Sequence, residues 1–480
     1  MLPKLPHSIV RQYLEVEVIG TEANALAMQS TLAALCKQSL LPVIEQAFER
    51  CCPQHQLIRI ERLELDLGSV ALGRLEQELP TLLRRSLDTA LDAHMAALQE
   101  PQDGMARHTT IAHGLDEALA YFLQYGTLPP ALHLTDGRDF EATLRACHDR
   151  TGPGALSPLS NALHTTLRSA ASIERLAGQF SVAFQRTVLA RIGGGALAVL
   201  EAAMANARLR PAGANAAAPF KAGQLPPSEA ALATVDRLLL RAALHRAATG
   251  GDSSLYALAD DALALAADQR AAKTVLQDML RSLSTQSALD KPQRSATSDK
   301  AGPQRMQPEC FDHPDQAEGI FVENAGLVLL HPFLAPLFDT LAISSGERLL
   351  APSRALAVLH FLASGQDSGP EYAMALSKIL CALPLTANVE AGIVTSAAEQ
   401  AEAHDMLEAV IAHWSKLQST SPDGLRGAFL MRPGKLSQRN GDWVLQVEAH
   451  AADILLGDLP WGVSAIRLPW MEHILWVEWN

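Results

Sequence analysis

Residues Tyr13 to Val18 alternate, with Leu14, Val16 and Val18 apolar against Glu15 and Glu17. A period of two predicts a half-buried strand. Gly20 ends it, and Glu22 to Cys52 reads as helix with Leu26, Leu32, Leu35 and Leu40 on one side. Pro42 is expected to kink or divide that helix, because proline has no amide hydrogen and its ring crowds the preceding turn. A second alternating run follows from Leu57 to Gly68. Ile58 and Ile60 share one phase, and Leu63, Leu65 and Leu67 the other. The slip between Glu61 and Arg62 is the signature of one extra residue in a bulge. With a helix expected over about 72–98, residues 1–98 read as a strand–helix–strand–helix module.

The period then changes. Segments near 112–125, 173–208, 229–248 and 254–284 carry apolar residues at helical spacing; in the first, Leu115, Leu119, Phe122 and Leu123 share a face. Breakers separate them: Gly126 with Pro129-Pro130, Gly152-Pro-Gly154, Pro211 to Pro227, and Gly193-Gly-Gly195. No heptad is sustained, so a long coiled coil is not expected. Residues 99–283 form a helical, Ala-rich middle, and residues 284–319, rich in Ser, Gln, Pro, Lys and Asp, read as a flexible linker.

All six tryptophans lie beyond that linker: Trp414, Trp443, Trp461, Trp470, Trp476 and Trp479. Large aromatics dominate burial where they occur, so residues 320–480 are expected to form a separate α+β domain. Helices are predicted near 324–342, 352–364, 370–382 and 396–418. A hairpin follows, from Phe429 to Leu436 and Trp443 to Glu448, with Asn440-Gly441 at the turn, and a short strand from His473 to Glu478. The fold class is therefore mainly α, a multi-helical middle with small α+β modules at the N- and C-terminal ends.

Composition supports this reading. The chain has 480 residues, of which 48% are hydrophobic and 19% charged, the balance of a folded soluble protein with two to four domains. The formal charge of −13 argues against nucleic-acid binding and against anionic membrane surfaces. The apolar runs Ala325–Phe338 and Gly193–Ala207 are shorter than the ~20 residues that span a bilayer, so no stable membrane insertion is expected. The first residues, Met1 to His7, lack an apolar signal core. Six cysteines without framework spacing suit reduced thiols in a cytoplasmic product.

Candidate chemistry is sparse. Gly193-Gly-Gly195 lacks the lysine of a phosphate loop and reads as a helix break. Cys310-Phe-Asp-His313 has the spacing of half a zinc site, but the other half is lacking. His331 and His360 sit in apolar helices and read as core or boundary residues. The Ser253 and Ser368 surroundings faintly resemble hydrolase nucleophile turns, yet neither follows a strand in a βαβ unit. Cys51-Cys52 has weak basic activation, and Asp260-Asp261 reads as a solvated helix face. No catalytic residue, cofactor or metal ligand is assigned.

Several longer blocks carry a resemblance. They are Asn324-Ala-Gly-Leu-Val-Leu-Leu-His-Pro-Phe-Leu-Ala-Pro-Leu-Phe338, Ala355 to Gly365, Glu371 to Leu385, His413-Trp414, Thr420 to Arg426, Leu459-Pro-Trp461 and Leu468-Pro-Trp-Met471, with Leu57 to Gly68 at the other end. Tyr121-Phe-Leu-Gln-Tyr-Gly-Thr-Leu-Pro129 fits more weakly, with Pro130 where tryptophan is usual. These blocks resemble the tape measure family of contractile injection systems. The resemblance implies a structural, non-enzymatic component of a phage-tail-like particle that delivers toxins. It implies synthesis in the cytoplasm, then lodging in or against the inner tube of a particle that can be released, where the protein contributes to tube length or assembly. The implied partners are inner-tube, baseplate or hub subunits and toxin cargo. An alternative is a cytosolic helical adaptor or chaperone that loads cargo or tube subunits. For protein contact, the candidate residues are Trp461, Trp470, Trp476 and Trp479, short apolar anchors near the chain end, two of them set by prolines. Gly and Pro breaks in the middle forbid one unbroken ruler helix.

Overall fold

The computed structural model describes residues 35–51, 56–60, 63–97, 106–129, 139–148, 161–193, 195–208, 228–251, 254–266, 269–289, 319–389, 393–417 and 419–479, with isolated residues 9, 14, 16, 32 and 132. Packing divides the chain into two compact units, one of residues 1–117 and 131–156, the other of 118–130 and 157–480.

In the first unit a π-turn at Cys36–Leu40 leads into helix α1, Leu41–Cys51. The widened turn stands just before Pro42, where an ordinary helical bond from a proline nitrogen is impossible. Strand β1 is Gln56–Ile60, and helix α2 runs over Leu75–Ala97 after a 3-10 turn at Leu72–Arg74. Leu79, Leu83, Leu87 and Leu91 repeat every fourth residue on α2 and pack with Leu40, Val43, Ile44 and Ala47. Leu63, Leu65 and Leu67 pack against this core while Glu64 and Asp66 face solvent, as the alternation predicts. The ladder itself is elsewhere: β1 pairs antiparallel with β2, Ala106–Thr110, Ile58 opposite His108. Nothing in the sequence pattern marked β2 as a strand. The bulge expected at Glu61 and Arg62 lies outside the described residues, as does the expected strand at 13–18 apart from Leu14 and Val16. Helix α4, Phe140–His148, also belongs to this unit, whereas helix α3, Ile111–Tyr125, counts with the second unit from Ala118 onward.

The second unit begins with helices α5, Asn161–Thr166, α6, Ala170–Gln179, α7, Val182–Ile192, and α8, Ala196–Arg208. Gly193 ends α7 and α8 resumes at Ala196, so the glycine run is a helix break. Next come α9, Glu229–Thr249, α10, Leu255–Leu265, and α11, Arg270–Leu289. Helix α9 is buried on most sides, through Val235, Leu238, Leu239, Leu240, Ala242, Ala243 and Leu244. Such a helix belongs at the centre of a bundle, and α9 packs on α6, α7, α8, α10 and α11. Ser181, Ser228 and Ser254 cap α7, α9 and α10 by accepting from amides three residues on. Helix α11 continues through Leu289, and residues 290–318 of the expected linker lie outside the described residues.

The tryptophan-rich part of the same unit starts with β3, Ile320–Val322, a wholly buried 3-10 segment Ala325–Leu330, and α12, His331–Thr340. A Cβ at Gly326 would overlap the Phe429 carbonyl, so only glycine fits that block. A minimal hairpin, β4 Ser344–Ser345 and β5 Arg348–Leu349, precedes α13, Pro352–Ser364. Then come α14, Ala375–Leu380, α15, Ala397–His413, and α16, Pro422–Leu425. Ser396 and Glu399 cap α15 reciprocally, and Arg354 Nε donates to Glu399 at 2.7 Å. Burial alone would raise the Glu399 carboxyl, but hydrogen bonds from Ser396 and the Arg354 partner hold it below its ordinary range.

Strands β6, Gly434–Arg439, and β7, Asp442–Val447, form the hairpin around Asn440 and Gly441, both at positive φ, but its first strand starts later than the expected Phe429, because Arg426–Leu430 forms a π-helical turn. Strands β8, Ala465–Ile466, and β9, Leu475–Trp479, complete a sheet of order β3-β6-β7-β9-β8. β9 runs parallel to β7, Leu445 opposite Val477, and a 3-10 segment at Ala451–Asp458 lies on the connection between them. The fold is mainly α, with a two-stranded sheet in the first unit and this sheet near the C-terminus.

Candidate functional site

The tryptophan-bearing end is built by indole anchoring. Trp470 is buried, stacks on Phe338 with ring centroids 5.4 Å apart, and donates Nε1–H to the Leu380 carbonyl at 2.8 Å. Trp461 is half-buried, meets Phe333 edge-on at 5.2 Å and donates to Leu329 O at 3.0 Å. Trp414, fully buried, donates to Leu455 O at 3.2 Å. A buried indole needs such an acceptor. The two Leu-Pro-Trp motifs therefore dock on the Asn324–Phe338 block, and sequence blocks far apart in the chain are packing partners.

Trp476 and Trp479 both lie on β9. Trp476 is 43% exposed and donates to Asp442 Oδ2 at 3.1 Å. Trp479 is half-buried beneath the Arg432 guanidinium, 5.9 Å from its ring. Arg432 grips Asp453 through two hydrogen bonds of 2.9 and 3.1 Å. Burial would raise the Asp453 carboxyl, but Arg432 and the His450 amide hold it below the ordinary carboxylate range. The structure thus groups Trp461 and Trp470 with the core and leaves Trp476 facing solvent.

A second feature was not singled out from sequence. Arg175 on α6, Glu371, and Lys378 on α14 form an ion cluster whose side chains are 0–1% exposed. Arg175 Nε lies 3.1 Å from Glu371, and Lys378 Nζ lies 2.6 Å from it. Two cations face one carboxylate, and backbone oxygens supply the remaining acceptors. Arg175 donates to Leu123 O near the end of α3 and to Thr386 O at 2.7 Å, and Lys378 donates to Leu385 O at 2.7 Å. A helix C-terminus carries partial negative charge, which suits a cation there. Burial lowers the Lys378 ammonium from its ordinary value, and Glu371 opposes that shift. Gln179 closes the group by accepting from the Glu371 amide at 2.9 Å.

Gly126 makes this approach possible. It has φ +77°, and a Cβ there would stand 2.5 Å from Glu371 Oε1 and 2.9 Å from Leu385 O. The glycine of the Tyr121–Pro129 block is thus a close-approach residue. Phe122 packs edge-on against both Phe180 and Tyr372. A signal did exist: Glu371 and Lys378 are charges within the apolar Glu371–Leu385 block, seven residues apart.

The remaining candidates stand apart. His331 Nδ1 lies 3.0 Å from Val328 O, and His360 is buried with its ring against Gly369. Burial lowers both imidazoles, and a backbone hydrogen bond opposes the shift in each. The Cys381 thiol is fully buried and pushed up, which leaves it unreactive. Among the described residues, no group of three or more His, Cys, Asp and Glu could hold a metal. Ser253, Cys52 and the Cys310–His313 pair lie outside the described residues. No helix among the described residues is long and apolar enough to cross a membrane.

What the described residues assemble is a mainly helical structural body, with an aromatic-anchored sheet and a buried ionic junction. The chain belongs to the contractile injection system tape measure protein family, whose model matches residues 6–479. No curated protein and no solved structure matches it.

Proposed function

We propose that the protein serves the injection particle as a non-enzymatic assembly component, lodged in or against the inner tube, and that it acts as a folded body rather than as an extended ruler. Two things support this. The family match spans nearly the whole chain. The observation that carries the reading is the junction: Arg175, Glu371 and Lys378 tie the helical middle to the tryptophan-rich part within one compact unit. An extended ruler would have to dissolve that cluster and expose its charges. The longest described helix has 23 residues, about 35 Å at the usual rise.

In this reading the partners are inner-tube, baseplate or hub subunits, with toxin cargo a further one. The protein is made in the cytoplasm and leaves with the particle. Contact falls to the end carrying Trp461, Trp470, Trp476 and Trp479, with Trp476 the exposed anchor.

Duplicating Glu229–Ser282 tests the mechanism. The insertion adds roughly 54 residues, or ~80 Å if it were one extended helix. A folded assembly component predicts unchanged tube length by electron microscopy, or a general drop in particle number. A uniform lengthening approaching that value would restore the ruler. Absence of the wild-type protein from purified particles would favour the adaptor or chaperone reading.

A further inference from the structure

The first unit leaves a strand edge uncovered. Leu63, Leu65 and Leu67 pack on the aliphatic core, yet the segment they form joins no ladder. Strand β1 pairs with β2 only as far as Ile60, and their sheet has two strands. Beside the extended segment lies an open groove of about 450 Å³. One wall is Glu64 to Leu67, and the other is a flank of α2 carrying Leu82, Ser86, Ala90 and Ala93. The Asp66 carbonyl on this wall receives only a long bond from the Ser86 hydroxyl, at 3.4 Å. An unpaired row of amides and carbonyls along such a groove selects an extended chain. A strand meets the backbone groups in register and fills the groove with every second side chain.

The chain itself supplies one. Tyr13–Val18 alternates with the same period, so that Leu14, Val16 and Val18 match Leu63, Leu65 and Leu67. Leu14 and Val16 are 40% and 45% exposed, large apolar side chains that pairing would cover. Chain order sets the direction. Between Val18 and Leu63 the chain passes through α1, whose Val43, Ile44 and Ala47 share a core with Leu63, Leu65 and Leu67. A strand, a helix packed on the inner face and a second strand make a crossover unit, whose two strands run parallel. We propose that Tyr13–Val18 docks as a parallel strand on the free edge of Leu63–Leu67 in the same chain, with Val16 entering the groove beside α2. A strand of a second copy has the same chemistry, but the tethered one is present at a far higher local concentration. Once covered, the edge no longer offers a template for pairing with other chains. One force opposes the docking. Glu15 and Glu17 fall beside Glu64 and Asp66, and facing like charges destabilise a strand pair. Arg85, which lines the same groove, offsets part of that repulsion. The pairing is therefore one that substitution can strengthen as well as weaken.

Amide hydrogen exchange of the full-length protein, read by mass spectrometry, tests the docking. The amides of Leu63–Leu67 are expected to exchange at least about tenfold more slowly in wild type than in Val16→Asp, which puts a charge in the groove, while peptides from α2 stay protected in both. E15Q/E17Q removes the repulsion and is expected to slow the same amides about threefold further. This second variant decides the matter even where Val16→Asp fails to fold. A photo-crosslinking phenylalanine analogue at Tyr13 then identifies the neighbour, in an equal mixture of nitrogen-15-labelled and unlabelled protein. The expected product joins Tyr13 to the peptide carrying Glu64 within one copy. Equal exchange of these amides in wild type and folded Val16→Asp overturns the proposal, and so does the absence of slowing in E15Q/E17Q. A crosslink that misses the Leu63–Leu67 peptide overturns it as well. A product joining labelled to unlabelled copies does the same, because the occupant is then a second copy.

Discussion

The two units hold themselves together by different means. The α1–α2 core of the first is aliphatic, Leu, Val, Ile and Ala locked by the fourfold spacing of Leu79, Leu83, Leu87 and Leu91. The second adds indoles hydrogen-bonded to carbonyls and the buried Arg175–Glu371–Lys378 cluster. Aliphatic packing asks only for volume and pattern, so many side chains would satisfy it. An indole aimed at one carbonyl, or a carboxylate between two cations, has few alternative arrangements. The contrast predicts that the first unit tolerates conservative change and that the second does not.

The largest effect should come from the centre of the ion cluster. Glu371→Ala leaves Arg175 and Lys378 buried without their shared anion, and breaking a buried pair typically costs about 3–5 kcal/mol. Lys378→Met removes one cation and leaves Glu371 with Arg175, so it should cost less than half as much. Urea unfolding of the two variants measures the difference. Equal losses would mean that the cluster does not centre on the carboxylate and that the ordering of the junction is wrong.

Matched core replacements sharpen the comparison further. Leu87→Met keeps volume in the aliphatic core and should cost less than about 1.5 kcal/mol. Trp470→Phe keeps an aromatic ring on Phe338 but leaves Leu380 O without its donor, and about 2–4 kcal/mol is expected. The two transitions can be read separately if the units melt apart in calorimetry. A Trp470→Phe variant as stable as Leu87→Met would reduce the indole anchors to ordinary hydrophobic filling.

The aliphatic core was the more legible of the two regions. Leu63, Leu65 and Leu67 announce their facing by alternation, and the helices of the middle announce theirs by apolar spacing. Asn440-Gly441 fixed the hairpin because its turn demands positive φ. Strand β2, Ala-Arg-His-Thr-Thr, has no apolar alternation, and its pairing with β1 is a tertiary choice. The parallel neighbourhood of β7 and β9 needs a crossover that no local pattern specifies. The ion cluster was hidden for a related reason: Arg175 and Glu371 are 196 residues apart, and a charged residue in a sequence reads as surface until its partner is known. The tryptophans were visible as a group, but which of them face outward was decided by acceptors at Leu329 and Leu380, which only the fold brings near.

Acidity probes the second unit more gently. His331 and His360 have imidazoles lowered below the ordinary ~6.5 by burial. As pH falls through that value the unfolded chain takes up protons that the folded protein does not, so stability declines, by at most about 1.4 kcal/mol per pH unit for each group. A second decline follows below the ordinary carboxylate range, where Glu399 and Asp453, both held low in the fold, become protonated only after the unfolded chain has been. Melting temperature should therefore fall from pH 7 to 5.5 and again below about pH 4. His360→Gln should flatten the first decline and leave the second. An unchanged first decline would mean that His360 is not the buried neutral group described.

The smallest effect on stability is expected at Trp476, where it separates folding from contact. Its ring is 43% exposed, and its one polar contact, to Asp442, lies at the surface. Removing such a side chain should cost no more than about 1 kcal/mol, well below Trp470→Phe, although both are tryptophans on the same end of the chain. Trp476→Ala should thus give a folded protein with a melting temperature within a few degrees of wild type. If Trp476 is an anchor, the same variant should still lower particle number or protein retention strongly, because exposed aromatics at interfaces contribute to binding far more than to the stability of the free protein. Trp476→Phe separates the ring from the indole hydrogen bond: recovery by phenylalanine points to apolar docking, and failure to recover points to the Asp442 contact. Folded Trp476→Ala protein present in particles of normal number and length would remove this tryptophan from the contact surface.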